Sequence, residues 1–243
     1  MRFVLAAVSV LVAGPWAWPA SAASLPAETL GKLSYDVEWR LIHAGDVVIE
    51  AKDSEARIKI DSAGLVSTLF KVDDTYTVHY SPPFCTIDSL LDSKEGKRHR
   101  QTTVTRDRSR MVFVERDIVK NEILHSAQTE APPCVHDVLG GILTLRGLAL
   151  EPGQSGQVPM TDGRKAAQVR VDAQEREDVS TPAGTFKTIR YEANMMNGVI
   201  YPRKGRVFVW LTDDAKRVPV QIRLRLAFPI GTVTLQLQKD ESR

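Results

Sequence analysis

Cys134-Val-His-Asp-Val-Leu-Gly-Gly-Ile-Leu-Thr-Leu-Arg-Gly-Leu-Ala-Leu150 is the one convincing helical stretch in a sequence that otherwise reads as strands. Val138, Ile142, Leu145 and Ala149 recur at helical spacing, and Leu139 and Leu143 widen the stripe until nearly every side is apolar. The pattern predicts a buried helix over about residues 137–146, capped by Asp137. Gly140 and Gly141 each cost a helix interior roughly 1 kcal/mol relative to Ala. Tertiary packing must therefore hold the segment helical, with another backbone passing close by.

Around this helix the chain alternates. Leu33, Tyr35, Val37, Trp39 and Leu41 interleave with Ser34, Asp36, Glu38 and Arg40, the period of a strand with one buried face. Ala44-Gly45-Asp46 reads as the turn into Val47 to Ala51, and Ile58 and Ile60 continue a meander. Weaker strands follow at a spacing of about ten residues, broken by Ser81-Pro82-Pro83, Glu95-Gly96 and Asp107 to Arg110. Beyond the helix, Thr181-Pro182-Ala183-Gly184 and Asn197-Gly198 are turn signals. The most apolar strands come last, at Arg206 to Thr212, Pro219 to Phe228 and Thr232 to Gln238. The expected fold is mainly β: a single antiparallel curved sheet or open barrel wrapped on one central helix.

Met1-Arg2-Phe3, the apolar run Val4 to Ala13 and the small residues Ala20 to Ala23 have the three regions of a secretory signal peptide, expected at 1–22. The apolar run is shorter than the roughly 20 residues a spanning helix needs. The remainder, 23–243, is expected to be a single β-rich domain, soluble in the periplasm or secreted, with no transmembrane segment. A formal charge of +2 is too near neutral to argue for nucleic acid.

In that oxidising compartment the two cysteines share a setting, Pro82-Pro83-Phe84-Cys85 and Pro132-Pro133-Cys134, which makes a disulfide the leading reading. The competing one takes Cys134, two residues before His136, as an activated thiol. No two of His43, His79, His99, His125 and His136 stand at a metal-binding spacing, and Gly153-Gln154-Ser155-Gly156 is one residue too short for a nucleophile elbow. Asp73-Asp74 and Asp213-Asp214 read as turn residues. The sequence calls for no cofactor, no metal and no catalytic residue.

The opening Leu33-Ser34-Tyr35-Asp36-Val37-Glu38-Trp39 with Ala44-Gly45, the helix Asp137 to Arg146, Thr181 to Phe186, and Val209-Trp210-Leu211 through Arg217-Val218-Pro219-Val220 together resemble an exported bacterial family. It is the domain-of-unknown-function family numbered thirty-one-oh-eight. The resemblance covers most of the chain after the signal peptide and implies a β shell around a helix, distantly like periplasmic lipoprotein-carrier folds. It carries no activity and no catalytic residues.

Three functions compete. The first is a non-catalytic binding or carrier module for a lipid or acyl ligand. Its apolar pocket would be lined by Ile142, Leu145, Leu224, Leu226 and Leu235, because a helix of about ten residues, roughly 15 Å long, does not fill a shell of apolar strands. The second is an envelope scaffold that meets a protein or an anionic polysaccharide through Lys97, Arg98, Arg100, Arg106 and Arg108. The third is a thiol-dependent enzyme.

Overall fold

Strand periodicity decides burial from the first element: in β1 (Gly31–Trp39), Leu33 and Tyr35 are fully buried while their neighbours are not. The structure is a computed structural model that describes residues 30–52 and 54–241. The expected signal peptide lies outside the described residues. After β1 come β2 (Ile42–Ala51), β3 (Glu55–Ser62), the short helix α1 (Gly64–Leu69), β4 (Val72–Ser81), β5 (Cys85–Glu95), β6 (Arg98–Asp107), β7 (Arg110–Asp117) and β8 (Glu122–Glu130). The helix α2 (Val138–Leu148) is followed by β9 (Ser155–Thr161), β10 (Ala166–Thr181), β11 (Gly184–Ala193), β12 (Gly205–Thr212), β13 (Pro219–Leu226) and β14 (Thr232–Asp240).

All fourteen strands join one antiparallel sheet in the order β8-β7-β6-β5-β4-β3-β2-β1-β14-β13-β12-β11-β10-β9. Its edges, β8 and β9, do not pair with each other, so the sheet is open rather than a closed barrel. The link between β8 and α2 bridges the gap instead. The Thr86 N–H donates to the Val135 carbonyl at 2.9 Å, the His136 N–H to Pro159 at 2.8 Å, and the Thr161 N–H to His136 at 2.9 Å. A disulfide between Cys85 and Cys134, with Cα atoms 4.8 Å apart, fastens the same junction. Cys134 therefore offers no thiol.

The sheet folds over two main core clusters. One gathers Leu33, Tyr35, Ile49, Val78, Trp210 and Leu237; the other gathers Val158, Val169, Ile189, Val209 and Leu211. The Tyr35 hydroxyl donates to the Pro219 carbonyl at 2.7 Å, and burial holds its phenol well above the ordinary tyrosine range.

Three local expectations need correction. The chain turns at Arg40-Leu41, both at positive φ, and Ala44-Gly45-Asp46 lies inside β2. Gly45 is required for close approach: a Cβ there would stand 2.2 Å from the Asp61 carbonyl oxygen of β3. The second correction concerns α1, which the sequence reading missed because its six residues are too few to show a period. The third concerns α2, which is not enclosed on every side. Leu139 and Leu143 are buried in the first cluster and Leu145 in the second, whereas Val138 is 37% exposed and Ile142 half-buried.

The two glycines of α2 behave differently. A Cβ on Gly140 would lie 3.0 Å from the Phe84 carbonyl oxygen and 2.8 Å from Asp137 Oδ1, whereas one on Gly141 would meet the terminal methyl of Met160 at 2.8 Å. Backbone cannot yield as a methionine tip can. Gly140→Ala is expected to destabilise the protein by about 2 kcal/mol through overpacking, despite the helix-propensity gain of about 1 kcal/mol. Gly141→Ala should be neutral or stabilising. Urea unfolding of the two variants checks this, and equal effects would show that the β4–β5 turn at Phe84 gives way.

Candidate functional site

The face of α2 that the sheet leaves uncovered carries Val138, Ile142 and Leu145, at helical spacings of four and three. They look onto β9 and β10 through Val158, Met160 and Val171, onto β12 through Val207 and Val209, and onto β13 through Ile222, Leu224 and Leu226. Between them is a cavity of about 450 Å³, inside the range of small-molecule sites. Of the residues expected to line an apolar pocket, Ile142, Leu145, Leu224 and Leu226 do so. Leu235 does not: it is half-buried between the two core clusters.

The segment between β11 and β12 closes one side with Met195, Met196 and Tyr201. Sequence reasoning missed these residues because the segment has no period, although two adjacent methionines before Asn197-Gly198 are an unusual loop and suit an adaptable surface. Among the described residues no carboxylate lines the cavity, while Arg164 and Arg203 do. Val138, Arg164, Pro202 and Arg203 are its exposed lining residues and mark the mouth. Arg164 is fixed in place: its guanidinium stands 5.2 Å from the Phe113 ring centre and donates twice to Asp162 Oδ2, at 3.1 and 2.7 Å.

A second cavity of about 410 Å³, more polar than the first, shares Val138, Arg164 and Tyr201 with it. Its floor is Asp137, which carries out the predicted capping by accepting from the Leu139 N–H at 3.2 Å and the Gly140 N–H at 2.9 Å. The same carboxylate accepts from the hydroxyls of Tyr76 at 2.8 Å, Tyr80 at 2.9 Å and Thr86 at 3.4 Å. Burial, with the Asp137 charge adding, pushes both phenols well above the ordinary range, so they remain donors. A carboxylate so fully engaged is a structural hub rather than an acid or base with a free lone pair.

The five cations expected to form one basic surface are divided. Lys97 and Arg98 stand at one end of β6, and Arg106 and Arg108 at the other, roughly 26 Å away at the strand rise. Arg100 donates to Glu115 at 3.0 Å, and Arg106 to the Pro132 carbonyl at 3.0 Å. Asp213-Asp214 follows β12 as a turn, with Asp214 accepting from Lys216 and Arg217 N–H groups, but Asp73-Asp74 lies within β4, where Asp73 pairs with Lys59. The His136 ring, the proposed partner of a reactive thiol, shares a hydrogen bond of 2.8 Å with the Phe84 carbonyl, and burial lowers its pKa. Asp36, His43 and Asp46 approach one another within 4.8 Å on β1 and β2, an exposed group that the spacing of histidines gave no sign of.

An open antiparallel sheet folded over an apolar cavity defines the class, a barrel-like β protein whose interior is not filled by its own side chains. The chain belongs to the family described as "Protein of unknown function (DUF3108)", whose model matches residues 34–238. No curated protein matches it. Among solved structures it is similar to a β-barrel-like protein of the domain of unknown function DUF1849 from Brucella abortus, with a TM-score of 0.54 at 9% identity over 85% of this chain and 94% of that one. A DUF1089 family protein from Pseudomonas aeruginosa aligns over 87% of this chain and 95% of its own at 12% identity, with a TM-score of 0.40. The Brucella likeness concerns the fold alone.

Proposed function

We propose that this protein is a non-catalytic binding or carrier protein for an acyl-bearing amphipathic molecule, working in the periplasm or outside the cell. The observation that carries the reading is the cavity of about 450 Å³, bounded by aliphatic side chains and methionines, with two arginines and, among the described residues, no carboxylate in its lining. Away from the mouth such walls give a sugar or a base few groups to hydrogen-bond, whereas each methylene of an acyl chain gains about 0.8 kcal/mol on burial. The exposed Arg203 and the anchored Arg164 place positive charge at the mouth, where an anionic headgroup would rest. The scaffold reading loses the patch it was drawn from, because Lys97, Arg98, Arg100, Arg106 and Arg108 are divided along β6.

The test is titration with a fluorescent fatty acid. About ten buried methylenes correspond to roughly 8 kcal/mol, so a Kd near or below the micromolar range is expected. Leu145→Trp and the half-buried Leu224→Trp, which fill the cavity from opposite walls, should each weaken binding at least tenfold. Arg203→Gln should weaken the carboxylate ligand more than the matching fatty alcohol. Absence of saturable binding by the wild type would end the carrier reading.

A further inference from the structure

The large apolar side chains that this fold leaves in solvent are not scattered. In a continuous antiparallel sheet, alternate connections fall on the same rim, and the connections β1–β2, β3–β4, β5–β6, β7–β8, β11–β12 and β13–β14 share one. Neighbouring connections touch along it. The Arg40 guanidinium donates to the Pro229 carbonyl, the Ala227 N–H to Lys204 at 3.1 Å, and the Gly96 N–H to Lys71 at 2.7 Å. On this rim stand Leu41 and Phe228, each 91% exposed, with Leu69 at 75%, Val119 at 72%, Leu65 at 63% and Phe70 at 48%. Among the described residues, the connections of the opposite rim contribute one exposed large apolar side chain, Val138 at 37%.

The charge of the same connections is one-sided. They carry Arg40, Lys71, Lys97, Lys120, Arg203 and Lys204, all exposed, and no acidic residue. The β9–β10 turn at this end adds Arg164 and Lys165, and its single acid, Asp162, is paired with Arg164. Asp61, Asp73, Glu95, Asp117 and Glu122 lie at the strand ends behind the tips, and Lys59 is bonded to the first two. Exposed apolar tips interleaved with cations are the composition that enters the headgroup layer of an anionic bilayer, the apolar groups passing below the phosphates and the cations meeting them. A protein partner would instead favour apolar surface gathered into one packed patch.

We infer that this rim docks on an anionic phospholipid bilayer, with Leu41 and Phe228 as its leading insertion points. Pro202 and Arg203 of the cavity mouth belong to one of the docking connections, and Leu226 ends the strand that leads into another. The mouth therefore faces the membrane when the rim is seated. Docking rests on the rim alone and stands whatever the cavity holds.

The experiment is flotation of the exported protein with vesicles of phosphatidylethanolamine and phosphatidylglycerol. The wild type should float with them, less so as salt is raised, and Leu41→Asp combined with Phe228→Asp should reduce binding at least tenfold. Both side chains are almost wholly exposed, and Asp tolerates the positive φ of 67° at Leu41, so folding is preserved. Ile87→Asp, 41% exposed and away from the rim, should float as the wild type does. Emission from Leu41→Trp should shift to the blue on adding vesicles. All variants share one N terminus, so the differences report the rim. A wild type that does not float, or a double variant that floats equally well, overturns the proposal. Loss of flotation in Leu224→Trp would also overturn it, by assigning capture to the cavity instead; normal flotation by a variant unable to bind fatty acid supports docking as a separate property.

Discussion

Asp137→Ala is expected to destabilise the protein by about 4 kcal/mol, a large part of the 5–15 kcal/mol that holds a domain together. The loss has two sources. Removing an N-cap acceptor costs about 1 kcal/mol, because the Leu139 and Gly140 N–H groups have no intrahelical partner. The larger part comes from the hydroxyls of Tyr76 and Tyr80, which lose their acceptor in a water-poor site, at about 1–3 kcal/mol each. Asp137→Asn keeps one oxygen and should lose about half as much. Tyr80→Phe removes a donor without stranding a charge and should cost only about 1 kcal/mol. Urea midpoints at constant slope measure all three, and a loss below about 1 kcal/mol for Asp137→Ala would show that these hydroxyls find other partners.

That hub shows where sequence reading stops. Asp137 as a cap was legible, since an Asp directly before an apolar periodic run is a local signal. Its tyrosine partners were not, because Tyr76 and Tyr80 lie on β4, four strands earlier in the chain, and only the sheet order brings them over the helix start. The strand-rich fold followed from alternation, and four of the five pocket residues from asking what a short helix leaves unfilled. The turn at Arg40-Leu41 was hidden because positive φ usually announces itself through Gly or Asn, and here it falls on an Arg and a Leu. The helix stripe was misassigned for a different reason. A helix apolar on nearly all sides does not say which side meets packed core and which meets a cavity, and in this fold Leu139 and Leu143 take the first role and Val138 and Ile142 the second. The basic cluster misled because proximity in sequence across a ten-residue strand is separation in space.

The second large effect is expected from the disulfide. Cys85 opens β5 and Cys134 lies just before α2, so the bond closes a loop across a sequence separation of 49 that contains β5 to β8. In the chain-entropy model, releasing a loop of that size costs about 4 kcal/mol, by freeing the unfolded chain rather than by weakening native contacts. The Thr86 bond to Val135 and the contacts of Asp137 remain available to hold the junction, so Cys85→Ser with Cys134→Ser should fold and unfold at a lower urea midpoint. Reductant should bring the wild type down to the midpoint of the double variant and leave the double variant where it is. A wild type indifferent to reductant, or two thiols titrating in the denatured, non-reduced protein, would rule out the bond. Because the disulfide acts on the unfolded chain and Asp137 on the native one, their losses should add within about 0.5 kcal/mol when Asp137→Asn is combined with the serine pair. A combined loss well below the sum would mean that the junction between β5, β9 and α2 already opens when either fastening is removed.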